Sequence, residues 1–413
     1  MNGLKIIKTV LSGEFLFALF LFAGYFKSVL TFVPVDLTVL LMIITFLIAM
    51  KRLYEGHRVY IKPIILWLLF IIFAAASLLY THESAMMTGV AIDKFLRLAV
   101  ISTWCFVAPF LLFRDKESVR KFVWGVIGLG IVMGAASFFP SQNQAGFVEV
   151  FGSNYQALSR IAGSTSLVFL GVFLFSKTSF KVRFVSLLAS LLLIIPMLVS
   201  GGRLTAVIYL VIAVGIFPIM FFEVNIRKKT YIVYKRVYAY AITLLAIVSA
   251  TFIILKLGYL DTFIFRVKVM FEDSGGGESI IGRTNRMAEG VEMIYANPIF
   301  GHGLGSFGFH FMTGLLDDTP HHIFIEIWSE LGIIPLIIFS IIFVQGSISA
   351  YKIWRLQKND WVLASIFILS VFWFVAALIS SGLTSGKILF AFLGVSIAVY
   401  YSLSTKKENQ TSQ

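Results

Sequence analysis

Twelve apolar runs separated by short polar connections set the pattern of this chain. They fall at 13–33, 36–50, 63–80, 96–113, 122–139, 161–176, 184–200, 204–222, 238–257, 323–347, 361–381 and 387–403. About 20 helical residues cross the roughly 30 Å hydrocarbon core of a bilayer. Within lipid, a helix satisfies its own backbone groups. The pattern therefore predicts an all-α integral membrane protein with about 12 transmembrane helices. Helices 1–9 occupy 1–257, one long loop covers 258–322, helices 10–12 occupy 323–403, and 404–413 form a tail. Within the loop, Met287, Val291 and Ile294 recur at helical spacing and Asn297-Pro298 ends the run, predicting an amphipathic helix over 283–296. The glycine-rich stretch from Glu272 to Glu278 before it reads as a hinge or lid.

Composition agrees. Of 413 residues, 59 % are hydrophobic and 13 % charged, against about 45–50 % and about 25 % in soluble domains. A soluble enzyme, a disordered chain and a disulfide-stapled domain are excluded. The single cysteine, Cys105, lies in an apolar run, so no internal disulfide forms. A net charge of +13 invites a nucleic-acid partner, but the basic residues sit in clusters between the runs. With the N-terminus inside, 23 of the 34 Lys and Arg fall on cytoplasmic connections, as the positive-inside rule requires. The charge is then a topology signal, no nucleic acid is expected, and both termini are cytoplasmic. The first run, preceded by Lys5 and Lys8, reads as an uncleaved anchor rather than a signal peptide. The long loop, with shorter connections at 81–95 and 140–160, lies on the extracytoplasmic side.

Candidate chemistry gathers on that side. Arg203 follows Ser200-Gly201-Gly202 at the outer start of a run. An arginine at membrane depth needs an anionic partner; a snorkelling interfacial arginine is the alternative. Arg283 and Arg286 share a helix face and would suit a diphosphate, or form a solvated face paired with Glu289. In Asp317-Asp318-Thr319-Pro320-His321-His322, Thr319 reads as an N-cap and Pro320 as the first helical residue. His321 would then lie in a first turn, whose positive dipole end favours a neutral imidazole able to act as a base. The alternative is a pair of polar cap residues. His322, Glu326 and Glu330 follow at four-residue spacing, to orient a base, bind sugar or pair with a basic neighbour. Arg160 is a further anion contact. Gly303-Leu-Gly305-Ser-Phe-Gly308 matches a dinucleotide fingerprint literally, but no strand or βαβ pattern surrounds it. There is no Walker A sequence, D-x-D or zincin spacing, and no metal or cofactor is expected.

Arginines, a neutral histidine, a long outer loop and a lipid-facing body suit a substrate with a polyprenyl tail, a diphosphate and a sugar. A transporter or flippase of lipid-linked sugars is the rival of another class. Its expected related halves and midplane charges are not legible here. A non-catalytic assembly partner of a polysaccharide machine is a third reading.

Three motifs, in order, resemble the O-antigen ligase/polymerase superfamily: Ser200-Gly-Gly-Arg203; Gly282-Arg283 leading to Asn297-Pro298-Ile-Phe-Gly301-His-Gly303; and His321-His322-Ile-Phe-Ile-Glu326-Ile-Trp-Ser-Glu330-Leu-Gly332. The resemblance implies a metal-independent, inverting membrane glycosyltransferase of C-type architecture. Its donor would be an undecaprenyl-diphosphate-linked oligosaccharide. Its acceptor would be a lipid-linked repeat unit in a polymerase, or lipid A core in a ligase, and a chain-length regulator would be a further partner. Two outer arginines, Arg160 and Arg283, lean towards the polymerase. Carried over, Arg203 and Arg283 bind the diphosphate and His321 activates the acceptor hydroxyl. Arg286, His322 and Glu326 would join Arg160 as substrate contacts. The sequence departs from the family pattern at His322, usually Asn, and at Arg286, often aromatic, leaving both histidines as candidates for the base.

Overall fold

The computed structural model describes residues 3–26, 36–139, 141–142, 148–225, 230–233, 236–256, 264, 268, 278–311, 318–358 and 360–411. Among these, ten helices are long and apolar enough to cross a membrane, and Gly13–Phe26 and Tyr240–Ser249 are shorter apolar helices. Two small antiparallel ladders, Ser141–Gln142 with Val148–Glu149 and Phe222–Asn225 with Thr230–Val233, are confined to connections. The protein is an all-α integral membrane protein.

The chain divides into two compact units. The first comprises Met1–Thr45, Lys116–Val269 and Lys352–Phe372. At its heart Tyr155–Phe175 and Phe180–Val199 pack as an antiparallel pair. Lipid offers no hydrophobic drive for helix association, so small residues and polar bonds hold such pairs. Here Ser159 Oγ donates to the Met197 carbonyl at 3.0 Å, and Ser166 and Ser190 exchange bonds at 2.8 and 2.9 Å. Tyr209 closes the cluster at 3.2 Å from Ser166.

The second unit comprises Phe46–Asp115, Met270–Tyr351 and Trp373–Gln413. Its core is aromatic: buried Trp67 stacks on Phe106 at 4.8 Å, meets Phe390 at 4.9 Å, and donates its indole N–H to Thr103 at 2.9 Å. That indole bond is the polar handle a buried tryptophan needs.

Three differences between predicted and observed elements bear on the loop chemistry. The run at 96–113 belongs to a span that already begins at Val90 and continues to Leu112, drawing Lys94 into its second turn. The run at 323–347 is broken at Gly332 into Ile323–Leu331 and Ile333–Leu356. The amphipathic helix begins at Glu278, before the predicted 283, and ends at Ala296 as expected before Asn297-Pro298. The hinge residues 272–277 lie outside the described residues.

Candidate active site

In the second unit the loop chemistry is organised around Ile323–Leu331, a short acidic helix. Glu326 and Glu330 lie one turn apart and are fully buried. Both close on Lys94, whose Nζ lies 2.6 Å from Glu326 and 2.7 Å from Glu330. Backbone donors take up further acceptor capacity. The Leu383 N–H donates to Glu326 at 2.8 Å, and those of Gly305 and Phe307 donate to Glu330 at 3.1 and 3.3 Å. A buried ion costs several kcal/mol unless it is paired and hydrogen-bonded in this way.

The two ends of this helix are tied down differently. At its C-terminal end the last carbonyls would lack partners. His302 and Gly303 donate backbone N–H groups to the Ser329 and Glu330 carbonyls at 2.9 and 2.8 Å. Gly332, with φ of 87°, turns the chain where a Cβ would strike the Ile299 carbonyl oxygen. At the N-terminal end the cap is His322, not Thr319: its Nδ1 accepts the Ile325 N–H at 3.4 Å. Thr319, Pro320 and His321 precede the helix, and Thr319 Oγ1 instead accepts the His321 N–H at 3.3 Å. An imidazole acceptor suits the cap role of Ser, Thr, Asp and Asn.

His321 has a φ of 56°, in the left-handed region uncommon for a side-chain-bearing residue. Its imidazole is held below the ordinary histidine range, first by burial and then by the positive charges of Arg283 and Arg286, with Asp318 pulling the other way. His322 is also pushed down, by burial. The expected neutral histidine thus arises from desolvation and neighbouring guanidinium groups rather than from first-turn placement.

Arg283 and Arg286 lie in the long loop helix Glu278–Ala296, beyond its first turn. The helix dipole fades within one turn, so anion affinity there rests on the side-chain charges. Arg286 Nε lies 2.5 Å from the buried carboxylate of Asp318, Nη1 donates to the Gly282 carbonyl at 3.3 Å, and the guanidinium sits 5.2 Å from the Phe311 ring centroid. Arg283 makes no ion pair among the described residues. Gly290 lets this helix rest on the next segment: a Cβ there would crowd Ile325 at 2.6 Å and Pro320 at 3.3 Å. The structure therefore groups Arg283, Arg286, Asp318 and His321. It places His322 in a cap and Glu326 in an ion pair. Asp317 lies outside the described residues.

Arg203 and Arg160 belong to the first unit. Arg203 is the first residue of Arg203–Leu210, after Gly201 with φ of 80°, and is partly buried. Arg160 lies in Tyr155–Phe175, where its Nη2 donates to Gln156 Oε1 at 3.4 Å.

Lys94 escaped the sequence reading, which left it in a polar outer connection. The signal was there: a lysine early in an apolar helix, on the side where basic residues are scarce. His82, His302 and His310 also went unremarked and line a common cavity.

The fold and these side chains define a class: a multi-pass, all-helical membrane protein with paired arginines and a neutral histidine beside a buried acidic helix. Residues 167–340 match the family model described as O-antigen ligase, which supports the O-antigen ligase/polymerase superfamily and a membrane glycosyltransferase of that type. The match includes Arg203, Arg283, Arg286, His321, His322 and Glu326, and begins after Arg160. No curated protein matches the chain. The partial family match and the long apolar helices together fit a multi-pass protein of the bacterial inner membrane.

Proposed function

We propose that this protein is a surface-polysaccharide polymerase that joins undecaprenyl-diphosphate-linked oligosaccharides on the outer face of the cytoplasmic membrane. One observation carries the reading: His321, freed from the cap that His322 supplies, is kept neutral beside two guanidinium groups. A neutral imidazole can accept the proton of an acceptor hydroxyl as its oxygen attacks the anomeric carbon of the donor. The bond from that carbon to the diphosphate breaks with inversion, and the departing diphosphate carries the negative charge. Arg283 meets that charge, and guanidinium groups stabilise a leaving group most when they are fixed in advance. Asp318 and Phe311 fix Arg286 for that purpose.

Arg203 keeps the diphosphate role that the resemblance implies, and Arg160 remains an anion contact to be tested. Glu326 acts through position rather than contact, because its carboxylate is occupied by Lys94 and Leu383. The reaction is metal-independent, since the arginines supply the positive charge. Both termini are cytoplasmic, and a chain-length regulator is the expected partner.

The family description favours a second reading, a ligase that passes the glycan to lipid A core. Purified protein in lipid, given only the polyprenyl-diphosphate oligosaccharide and no nucleotide, should build longer lipid-linked products. Product formed only when lipid A core is added would establish the ligase instead. Lipid movement across the bilayer with no new glycosidic bond would overturn both. Arg203→Ala, Arg283→Ala and His321→Ala should each abolish product while the protein stays folded. Full activity in all three would remove the site.

A further inference from the structure

A cavity of about 440 Å³ opens between the turn at residues 80–82 and the glycine-rich segment at 297–310, all within the second unit. Small-ligand sites run from about 300 to 1,000 Å³. Tyr80, His82, Asn297, Phe300, His302 and His310 line it, and no Lys, Arg, Asp or Glu joins them among the described residues.

The hydrogen bonds already made here decide what each group can still offer. His82 Nδ1 accepts the Ser84 N–H at 3.2 Å, so the ring proton lies on Nε2 and presents a donor. His302 Nε2 donates to the Met293 carbonyl at 2.9 Å, leaving Nδ1 as an acceptor. Asn297 spends its Nδ2 on the Gly301 carbonyl at 2.6 Å and keeps Oδ1. Tyr80 donates to the Phe300 carbonyl at 2.9 Å and keeps an acceptor lone pair. His310 touches His302 edge-on at 4.5 Å between ring centroids and His82 at 5.9 Å. Its ring makes no hydrogen bond among the described residues. Burial and the two neighbouring histidines hold it below the ordinary range. Two aromatic side chains stay open, Phe300 at 61 % and Tyr80 at 43 % exposure.

Such a lining mismatches an anion, which would need a cation, and a metal ion, which would need several bare nitrogens aimed at one point. Among the described residues no His, Cys, Asp and Glu group has metal-binding geometry. Alternating donors and acceptors beside an exposed aromatic face match the hydroxyls and the apolar C–H face of a sugar ring.

We propose that this cavity is a subsite for a neutral saccharide, with Phe300 as its stacking platform and His310 as its principal hydrogen-bonding group. Binding there is a separate property from glycan transfer, so the two stand or fall independently.

The test uses the full chain in lipid nanodiscs and saturation-transfer NMR. The probes are the methyl glycosides of glucose, galactose, mannose, rhamnose and N-acetylglucosamine, with inorganic phosphate and Zn²⁺ as contrasting ligands. At least one glycoside should bind. Phe300→Ala and His310→Ala should each weaken it by about tenfold, the scale of one lost aromatic or hydrogen-bonding contact, while Phe300→Trp retains it. Phe300 is largely exposed, so its variants should fold, which an unchanged thermal midpoint would verify. Glycoside binding without any transfer activity would leave the subsite standing and overturn the polymerase reading. No binding by any glycoside, binding indifferent to Phe300 and His310, or histidine-dependent binding of Zn²⁺ alone would overturn the subsite.

Discussion

At the scale of single residues, the chemistry turns on which of two adjacent histidines is free. His322 spends a ring nitrogen on the helix start, so His322→Asn, which keeps an acceptor there, should preserve folding. His322→Ala should lower stability by about 0.5–2 kcal/mol, the usual worth of a cap, measured by denaturation in detergent. His321→Ala should slow transfer by about 10²–10⁴-fold, the worth of a general base and enough to leave no detectable product. Its pH profile follows from the charges around it. A base held below 6.5 works while unprotonated, so the rate should fall only on the acid side, as pH drops through its lowered value. Arg283→Gln removes a positive neighbour and should move that acid limb upward even as the rate declines. Asp318→Asn removes the opposing negative charge and should move it down. Initial rates across pH check both signs, and an unmoved limb in both variants would exclude His321 as the titrating group. Residue types alone pointed to His321, Arg283 and Arg203. They left both histidines open because only backbone geometry reveals which one ends up as the cap.

At the scale of elements, Lys94, Glu326 and Glu330 join two segments far apart in sequence. Lys94→Met leaves two buried carboxylates without their counterion. The cost expected for a broken buried pair is about 3–5 kcal/mol, visible as a lower thermal midpoint. Combining Lys94→Met with Glu326→Gln and Glu330→Gln should recover part of that loss. A triple variant less stable than Lys94→Met would refute the electrostatic account. Apolar periodicity made most of the helices legible, and Asn297-Pro298 marked the end of the loop helix correctly. The break at Gly332 was hidden because Ile323–Leu331 and Ile333–Leu356 are both apolar. Hydropathy does not register a single residue at positive φ. Lys94 was hidden for the complementary reason: its partners lie more than two hundred residues away, and a sequence shows the charge without the pair.

At the scale of the whole molecule, the proposed function needs the long loop outside, the side that the clustering of Lys and Arg predicts. Tyr295, 81 % exposed on the loop helix, offers a direct check. Cys105 is buried and should stay silent, so Tyr295→Cys should be labelled in intact cells by a membrane-impermeant maleimide. Labelling only after the membrane is opened would invert the topology and place His321 on the wrong side for an exported glycan.

The double grip on Lys94 has a geometric corollary. Two carboxylates a turn apart, seated on one ammonium, act like a key in its slot: the helix cannot roll about its axis without losing both. The imidazoles at its head inherit that bearing. Residues of an α-helix are about 100° apart in azimuth. One residue inserted between His322 and Glu326 should therefore swing the base away from the arginines and silence transfer in a protein that still folds, whereas an insertion upstream of Glu278 should leave its aim intact.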